Sequence, residues 1–362
     1  MALALCLTLL PATVLAEDGH LTHPICGQTC SHIGSGGKQK HPDNAFQGAK
    51  WLASSFGQVS VQDTPESSSG TSLSQDPNDT SCVLLEAGYY YLSTSVENYE
   101  DHSEVRSRKT IKINGDVTIC LNGTQIQKVG NTTGSVFEVP SGKTLTLTDH
   151  TGNGQVIGNS NGNGSGVYVN GGTFEMNGNA SVTGNTAKNS GNCGGGVYVD
   201  MKGTFTMNGD ASVTDNKAKN SSNATLKGGG VYVNSGTFEM NGNASVTGNA
   251  ASGNKNVKGD GGGVYVDTKG KFNMYGDTTS VSGNTATGSG GGVYVGGAFT
   301  VAGSPTVMGN RVGAADNNVY LDDSKTITID GELKGSEKSI GVTTKTEPTE
   351  QAPVTIATGS KD

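Results

Sequence analysis

Apolar and polar residues alternate along this chain in short runs, and from Val167 onward the runs recur at a steady interval. The tripeptide Val-Tyr-Val begins at Val167, Val197, Val231, Val264 and Val293, with Val319-Tyr320-Leu321 as a variant, in steps of 30, 34, 33, 29 and 26 residues. A second block, Thr-Phe-Glu-Met-Asn-Gly, runs from Thr173 to Gly178 and from Thr237 to Gly242, and Thr204 to Gly209 differs from it only at Thr206. A third, Ala180-Ser-Val-Thr-Gly-Asn185, returns at Ala211 to Asn216 and Ala244 to Asn249. Period-two alternation broken by Gly and Asn is the signature of short strands and turns. Each repeat therefore predicts three strands. Alternate strand residues share a face, so Val167, Val169, Phe174, Met176, Ala180 and Val182 point inward, and Tyr168, Glu175, Ser181 and Thr183 outward.

The length variation falls mostly in one place, between the third block and the next Gly-rich entry, at 188–193, 219–227, 252–260 and 287–289. Inserts confined to a single corner are how a solenoid coil varies. Coils stacked at about 4.8 Å would align Phe174, Phe205, Phe238, Phe272 and Phe299 into a buried ladder. The same stacking aligns Asn185, Asn216, Asn249, Asn284 and Asn310 into a turn column whose amides satisfy backbone groups. Upstream, Cys82 to Ile126 reads as a first coil and Ser135 to Gly158 as a second, and downstream Asn318 to Val342 reads as the last. The expected organisation is a signal peptide over 1–16, a small Cys/His-bearing segment over 17–59, a Ser/Asp-rich linker over 60–81, a β-helix over 82–345, and a tail or the start of a further module over 346–362.

Composition adds limits. There are 57 Gly among the 362 residues, and Lys plus Arg is 24 against Asp plus Glu 32, a net charge of −8 with no basic run. That balance argues against nucleic acid and anionic membranes as partners. Leu3 to Leu10 is nearly all apolar and Val14-Leu15-Ala16 is a small-residue cleavage signal, so export is expected, to the cell surface or the medium. No later stretch approaches the length of a spanning helix, so no transmembrane segment is expected. Export leaves five cysteines, an odd number, which excludes complete intramolecular pairing. His20, His23, Cys26, Cys30, His32 and His41 crowd the segment after the leader. His23, Cys26, Cys30 and His32 are candidate zinc ligands, and a Cys26–Cys30 disulfide is the competing reading. No other cofactor is expected.

The paired glycines of Gly195-Gly196-Val197, with Phe174-Glu-Met-Asn177, Phe205-Thr-Met-Asn208 and Phe238-Glu-Met-Asn241, resemble the Gly-Gly-Ala-Ile and Phe-x-x-Asn repeats of the polymorphic outer membrane protein family. The whole chain is similar to secreted right-handed parallel β-helix surface proteins of the pectin-lyase-like superfamily, carried by gut Gram-positive bacteria. Gly stands for Ala in the first motif, and Tyr275 stands where Phe272 should be followed by Asn. The resemblance implies an all-β fold, a right-handed parallel β-helix solenoid of about seven or eight coils with three short strands each, and surface display with adhesion.

The superfamily also holds polysaccharide lyases and hydrolases, which use clustered or paired carboxylates. The outward Glu175 and Glu239 are two coils apart, Arg106, Arg108 and Arg311 adjoin no carboxylate pair within a repeat, and Asp322-Asp323 suits a turn. Catalysis is therefore the lesser expectation. The outward tyrosines Tyr168, Tyr198, Tyr232, Tyr265, Tyr294 and Tyr320 would form a stripe of about 24 Å, with Ser, Thr and Asn beside it. Such a stripe suits a glycan or a host protein, or serves only to stiffen the sheet. The expected role is a non-catalytic adhesin-like scaffold, with a polysaccharide-active enzyme and a passive spacer as alternatives.

Overall fold

The computed structural model describes residues 50–359, apart from 56–57, 63–69, 73, 93–103, 108, 122, 129–132, 151, 159–163, 189–193, 220–224, 255, 277 and 335–339. The signal peptide expected over 1–16 and the candidate ligands His23, Cys26, Cys30 and His32 lie outside the described residues. Every described element is a strand. The strands stack in parallel as a β-solenoid of about eight turns. Among the described residues no helix is long and apolar enough to cross a membrane.

One coil of the repeat starts with Val167–Asn170, continues through Thr173–Gly178 and Ser181–Thr183, and adds a fourth short strand, Thr186–Lys188. The reading of three strands per coil missed the last, whose only apolar residue is Ala187. Each strand pairs with its counterpart in the next coil without slippage: Val167 with Val197, Phe174 with Phe205, Val182 with Val213, Ala187 with Ala218. The register is fixed because a slip of one residue would turn every inward Val or Phe to the outside.

The core is a narrow column. Phe174, Phe205, Phe238, Phe272 and Phe299 are fully buried and stack with ring centroids 4.8 to 5.0 Å apart. Burying one such side chain contributes about 1.5–3 kcal/mol, and offset stacking adds to it. Beside them the Asn column forms as expected: each of Asn185, Asn216, Asn249 and Asn284 donates its backbone N–H and its side-chain amide to the next Asn Oδ1, at 2.8 to 3.0 Å. All five of these asparagines, to Asn310, are wholly buried, so the ladder satisfies amides that water cannot reach.

The Gly-Gly corners follow from the same tight stacking. A Cβ on Gly195 would sit 2.1 Å from the Gly229 carbonyl oxygen, and one on Gly229 2.3 Å from that of Gly262. Backbone passes directly over backbone there, and no side chain fits between.

Three boundaries shift from expectation. The span from Cys82 to Ile126 is two coils, since Cys82–Leu92 pairs in parallel along Thr110–Cys120. Each of these 11-residue strands runs through two faces of its coil, which the sequence, lacking the repeat motifs there, did not separate. The stretch read as a linker overlaps Gln58–Gln62 and contains Gly70–Ser72 and Ser74–Gln75, which pair antiparallel with their neighbours. At the other end Ala357–Gly359 pairs with Ile327–Ile329, so the stack passes residue 345.

Candidate functional site

The outward face of the Val-Tyr-Val strands carries the tyrosine column. Tyr168, Tyr198, Tyr232, Tyr265, Tyr294 and Tyr320 are direct partners in successive coils. Their rings lie 4.5 to 5.5 Å apart and all are stacked except Tyr232 and Tyr265, which meet edge to face at 83°. A lysine stands at the break. The Lys227 ammonium, from the insert strand Leu226–Lys227, lies 5.2 Å from the Tyr232 centroid and 5.0 Å from that of Tyr265. The ammonium stands over both rings and is drawn to their negative faces.

The stripe is consequently not open along its length. Tyr198, Tyr232 and Tyr265 are buried, Tyr232 to 1% exposure, whereas Tyr168, Tyr294 and Tyr320 are half-buried. Alternation placed all six outside the Phe core; it could not show that Tyr198, Tyr232 and Tyr265 are buried there, the last two beneath Lys227 of an insert. Burial pushes the Tyr232, Tyr265 and Tyr294 phenols well above their ordinary range, with hydrogen bonding to or proximity of Asp267 and Asp322 adding to it.

A second column stands two residues beyond the first, Asn170, Asp200, Asn234, Asp267 and Asp322, interrupted by Gly296 before Asp322. Its signal was the fourth letter of Val-Tyr-Val-Asn and Val-Tyr-Val-Asp, which the sequence reading passed over. The Tyr198 hydroxyl donates to Asp200 Oδ2 at 2.8 Å, that of Tyr232 to Asp267 Oδ2 at 2.8 Å, and that of Tyr294 to Asp322 Oδ2 at 3.1 Å. Asp200 Oδ1 also accepts from the Met201 N–H, Asn234 and Ser235 at 2.7 to 2.9 Å. Burial alone would raise the Asp200 carboxyl, but these donors outweigh it and hold the group below the usual carboxylate range.

At the first end of the column the stripe opens into a cleft of about 410 Å3, lined by Tyr168 and Tyr198 together with Asp79, Cys82, Glu138, Asp200, three serines and Thr110. Its volume is that of a small-ligand site. Glu138 is the register partner of Tyr168 and accepts from Asn170 at 3.1 Å. Asp79 accepts from the Ser81 hydroxyl and N–H at 2.6 and 2.8 Å and is held low by them. Burial pushes the Cys82 thiol up, and it donates to Asp79 Oδ2 at 3.3 Å. Two ionised carboxylates and an un-ionised thiol can accept and donate hydrogen bonds to hydroxyl groups, but Asp79 and Asp200 carry no proton to give to a leaving group at neutral pH.

Among the described residues no three His, Cys, Asp or Glu side chains converge as a metal site. Glu175 and Glu239 are two register steps apart, with Thr206 between them. No protein-family model, curated protein or solved structure matches this chain.

Proposed function

We propose that this chain is an exported, non-catalytic binding scaffold that receives a glycan at the open end of its Tyr/Asx stripe. The cleft where Tyr168 and Tyr198 stand beside Glu138 and Asp200 carries the reading. Flat rings take the apolar face of a sugar, and fixed carboxylates take its hydroxyls. The low Asp79 and Asp200 carboxyls support a binding role over general acid catalysis. The repeat motifs and the leader support kinship with secreted right-handed β-helix surface proteins of the pectin-lyase-like kind.

The full chain is run through native gels containing neutral plant, mucin and bacterial polysaccharides, and the gels are then stained for degraded polymer. Retardation that Tyr168→Ala abolishes, at an unchanged melting temperature, supports the site. Clearing of the polymer overturns the non-catalytic reading. Burial of Tyr198, Tyr232 and Tyr265 favours a second reading, a passive spacer whose tyrosines stiffen the sheet, and that reading stands if no gel retards the chain and Tyr168→Ala only lowers stability.

A further inference from the structure

The middle of the tyrosine column shows how this fold holds an ammonium group. Lys227 Nζ meets Asp267 Oδ2 at 2.6 Å and stands over the rings of Tyr232 and Tyr265, 5.2 and 5.0 Å from their centroids. A carboxylate beside tyrosine faces makes a cation site there, and the chain supplies the cation itself. Further along, Lys345 pairs with Asp322, the carboxylate to which the Tyr294 hydroxyl donates.

The open end of the column repeats the carboxylates and the rings without the lysine. Lys227 lies four residues before Val231, and the corresponding positions before Val167 and Val197 are Asn163 and Cys193. Among the described residues the ion pairs engage Asp76, Asp267, Asp316, Asp322 and Asp323, and neither Glu138 nor Asp200. The hydrogen-bond donors to these two are neutral: Asn170 for Glu138, and Tyr198, Asn234, Ser235 and the Met201 N–H for Asp200. Lys112, the register partner of Glu138, turns its ammonium to Asp76 at 3.0 Å, and Lys128 gives its own to Thr110 and backbone carbonyls.

A second feature of the same cleft is independent of charge. Ser135 lines it at 9% exposure. Its carbonyl accepts from Thr110 and Lys128, while its hydroxyl has no hydrogen-bond partner. That hydroxyl is placed to pair with one on whatever occupies the cleft.

Given the glycan site proposed above, on which this rests, we propose that the glycan carries free amino groups: an unacetylated hexosamine oligomer whose ammonium takes, beside Tyr168 and Tyr198, the place that Lys227 holds downstream. A ring face attracts a cation and also packs on the apolar face of a sugar. Glu138 and Asp200 flank the two rings two coil steps of about 4.8 Å apart, so an oligomer reaches both. The donors to Asp200 hold its carboxyl below the usual range, and it stays charged at the weakly acidic pH where the amines are protonated. A lysine side chain of a protein partner offers the ammonium but no hydroxyl for Ser135 and no sugar face for the rings.

The test titrates the full chain calorimetrically, at weakly acidic pH, with glucosamine trimer, its fully N-acetylated counterpart and trilysine. The glucosamine trimer should bind about tenfold or more tightly than the acetylated one, by a margin that narrows with added salt. Glu138→Gln, which can still accept from Asn170, should cut the margin to about twofold or less at an unchanged melting temperature. Glu175→Gln removes the same charge outside the cleft and should leave the margin intact. Equal or tighter binding of the acetylated trimer overturns the proposal and leaves the glycan site standing, whereas failure of both trimers to bind overturns both. A margin that survives Glu138→Gln, or shrinks as much in Glu175→Gln, overturns the proposal by tracing the preference to the net charge of −8. Trilysine binding as tight as that of the glucosamine trimer overturns it in favour of a basic peptide.

Discussion

The Tyr232 hydroxyl donates to Asp267 Oδ2 at 2.8 Å, and the Lys227 ammonium reaches the same oxygen at 2.6 Å. Two donors, one from an insert and one from a stripe strand, thus share one carboxylate oxygen of the following coil.

Asp267→Ala leaves the ammonium and the phenol without that acceptor beneath the insert. A loss of about 1–3 kcal/mol is expected, read by denaturant unfolding. The pH dependence has a definite sign. Burial raises the Asp267 carboxyl, but Lys227, the Thr268 N–H and Tyr232 lower it further, to a net value below 3.8. Its contribution is therefore present above pH 3.8 and is lost as pH falls through the lower folded value. Acid unfolding of Asp267→Asn should lack this component, and an acid limb identical to that of the parent would show that the shared carboxylate does not stabilise the fold.

Phe238 occupies the centre of the aromatic ladder, 4.8 Å from Phe205 and 4.9 Å from Phe272. Phe238→Ala should cost about 3–5 kcal/mol, because a rigid stack of backbones cannot collapse into the space. Phe299→Ala, stacked on one side only by this ladder, should cost less, and equal losses in the two variants would argue against a stacking contribution.

Asn249 donates to the Val213 and Thr247 carbonyls and to Asn284 Oδ1, and accepts from Asn216, all within 2.9 to 3.1 Å. Asn249→Ala strands several buried groups at once, and a loss of at least about 3 kcal/mol is expected. Asn249→Asp should be worse at neutral pH, since a carboxylate cannot make the three donations and buries a charge. Thermal unfolding of both variants decides the order.

Lys128 points inward and gives its ammonium to Thr110 Oγ1 and to the Thr133, Gly134 and Ser135 carbonyls at 2.9 to 3.2 Å. Burial pushes its pKa down from 10.5 to about 8. Between those values the unfolded chain holds a proton that the folded chain has released, so this group adds stability as pH rises. Cys82, raised from 9.0, and the tyrosines, raised from 10.0, act in the opposite sense at higher pH. Over about pH 8 to 9 the melting temperature of the parent relative to Lys128→Met should therefore increase. A flat difference would mean that the four oxygens keep Lys128 charged.

The sequence by itself determined the coil, its interior and its register. Val167 and Val169 flank an outward Tyr168, and Phe174 and Met176 flank an outward Glu175, because strand alternation is a property of adjacent residues and needs no knowledge of what lies across the structure. The Phe ladder and the Asn column followed once the repeat set the stacking. The tertiary structure alone decided what covers what. Lys227 and Asp267 are 40 positions apart, and only the path of the insert brings them together over Tyr232. The cleft draws on residues from Asp79 to Asp200, three of whose coils lack the repeat motifs. The pairing of Ala187 with Ala218 depends on a fourth strand that a single buried Ala does not announce. Burial of an outward side chain is set by the neighbouring coil's loops, and those are the segments in which the repeat varies.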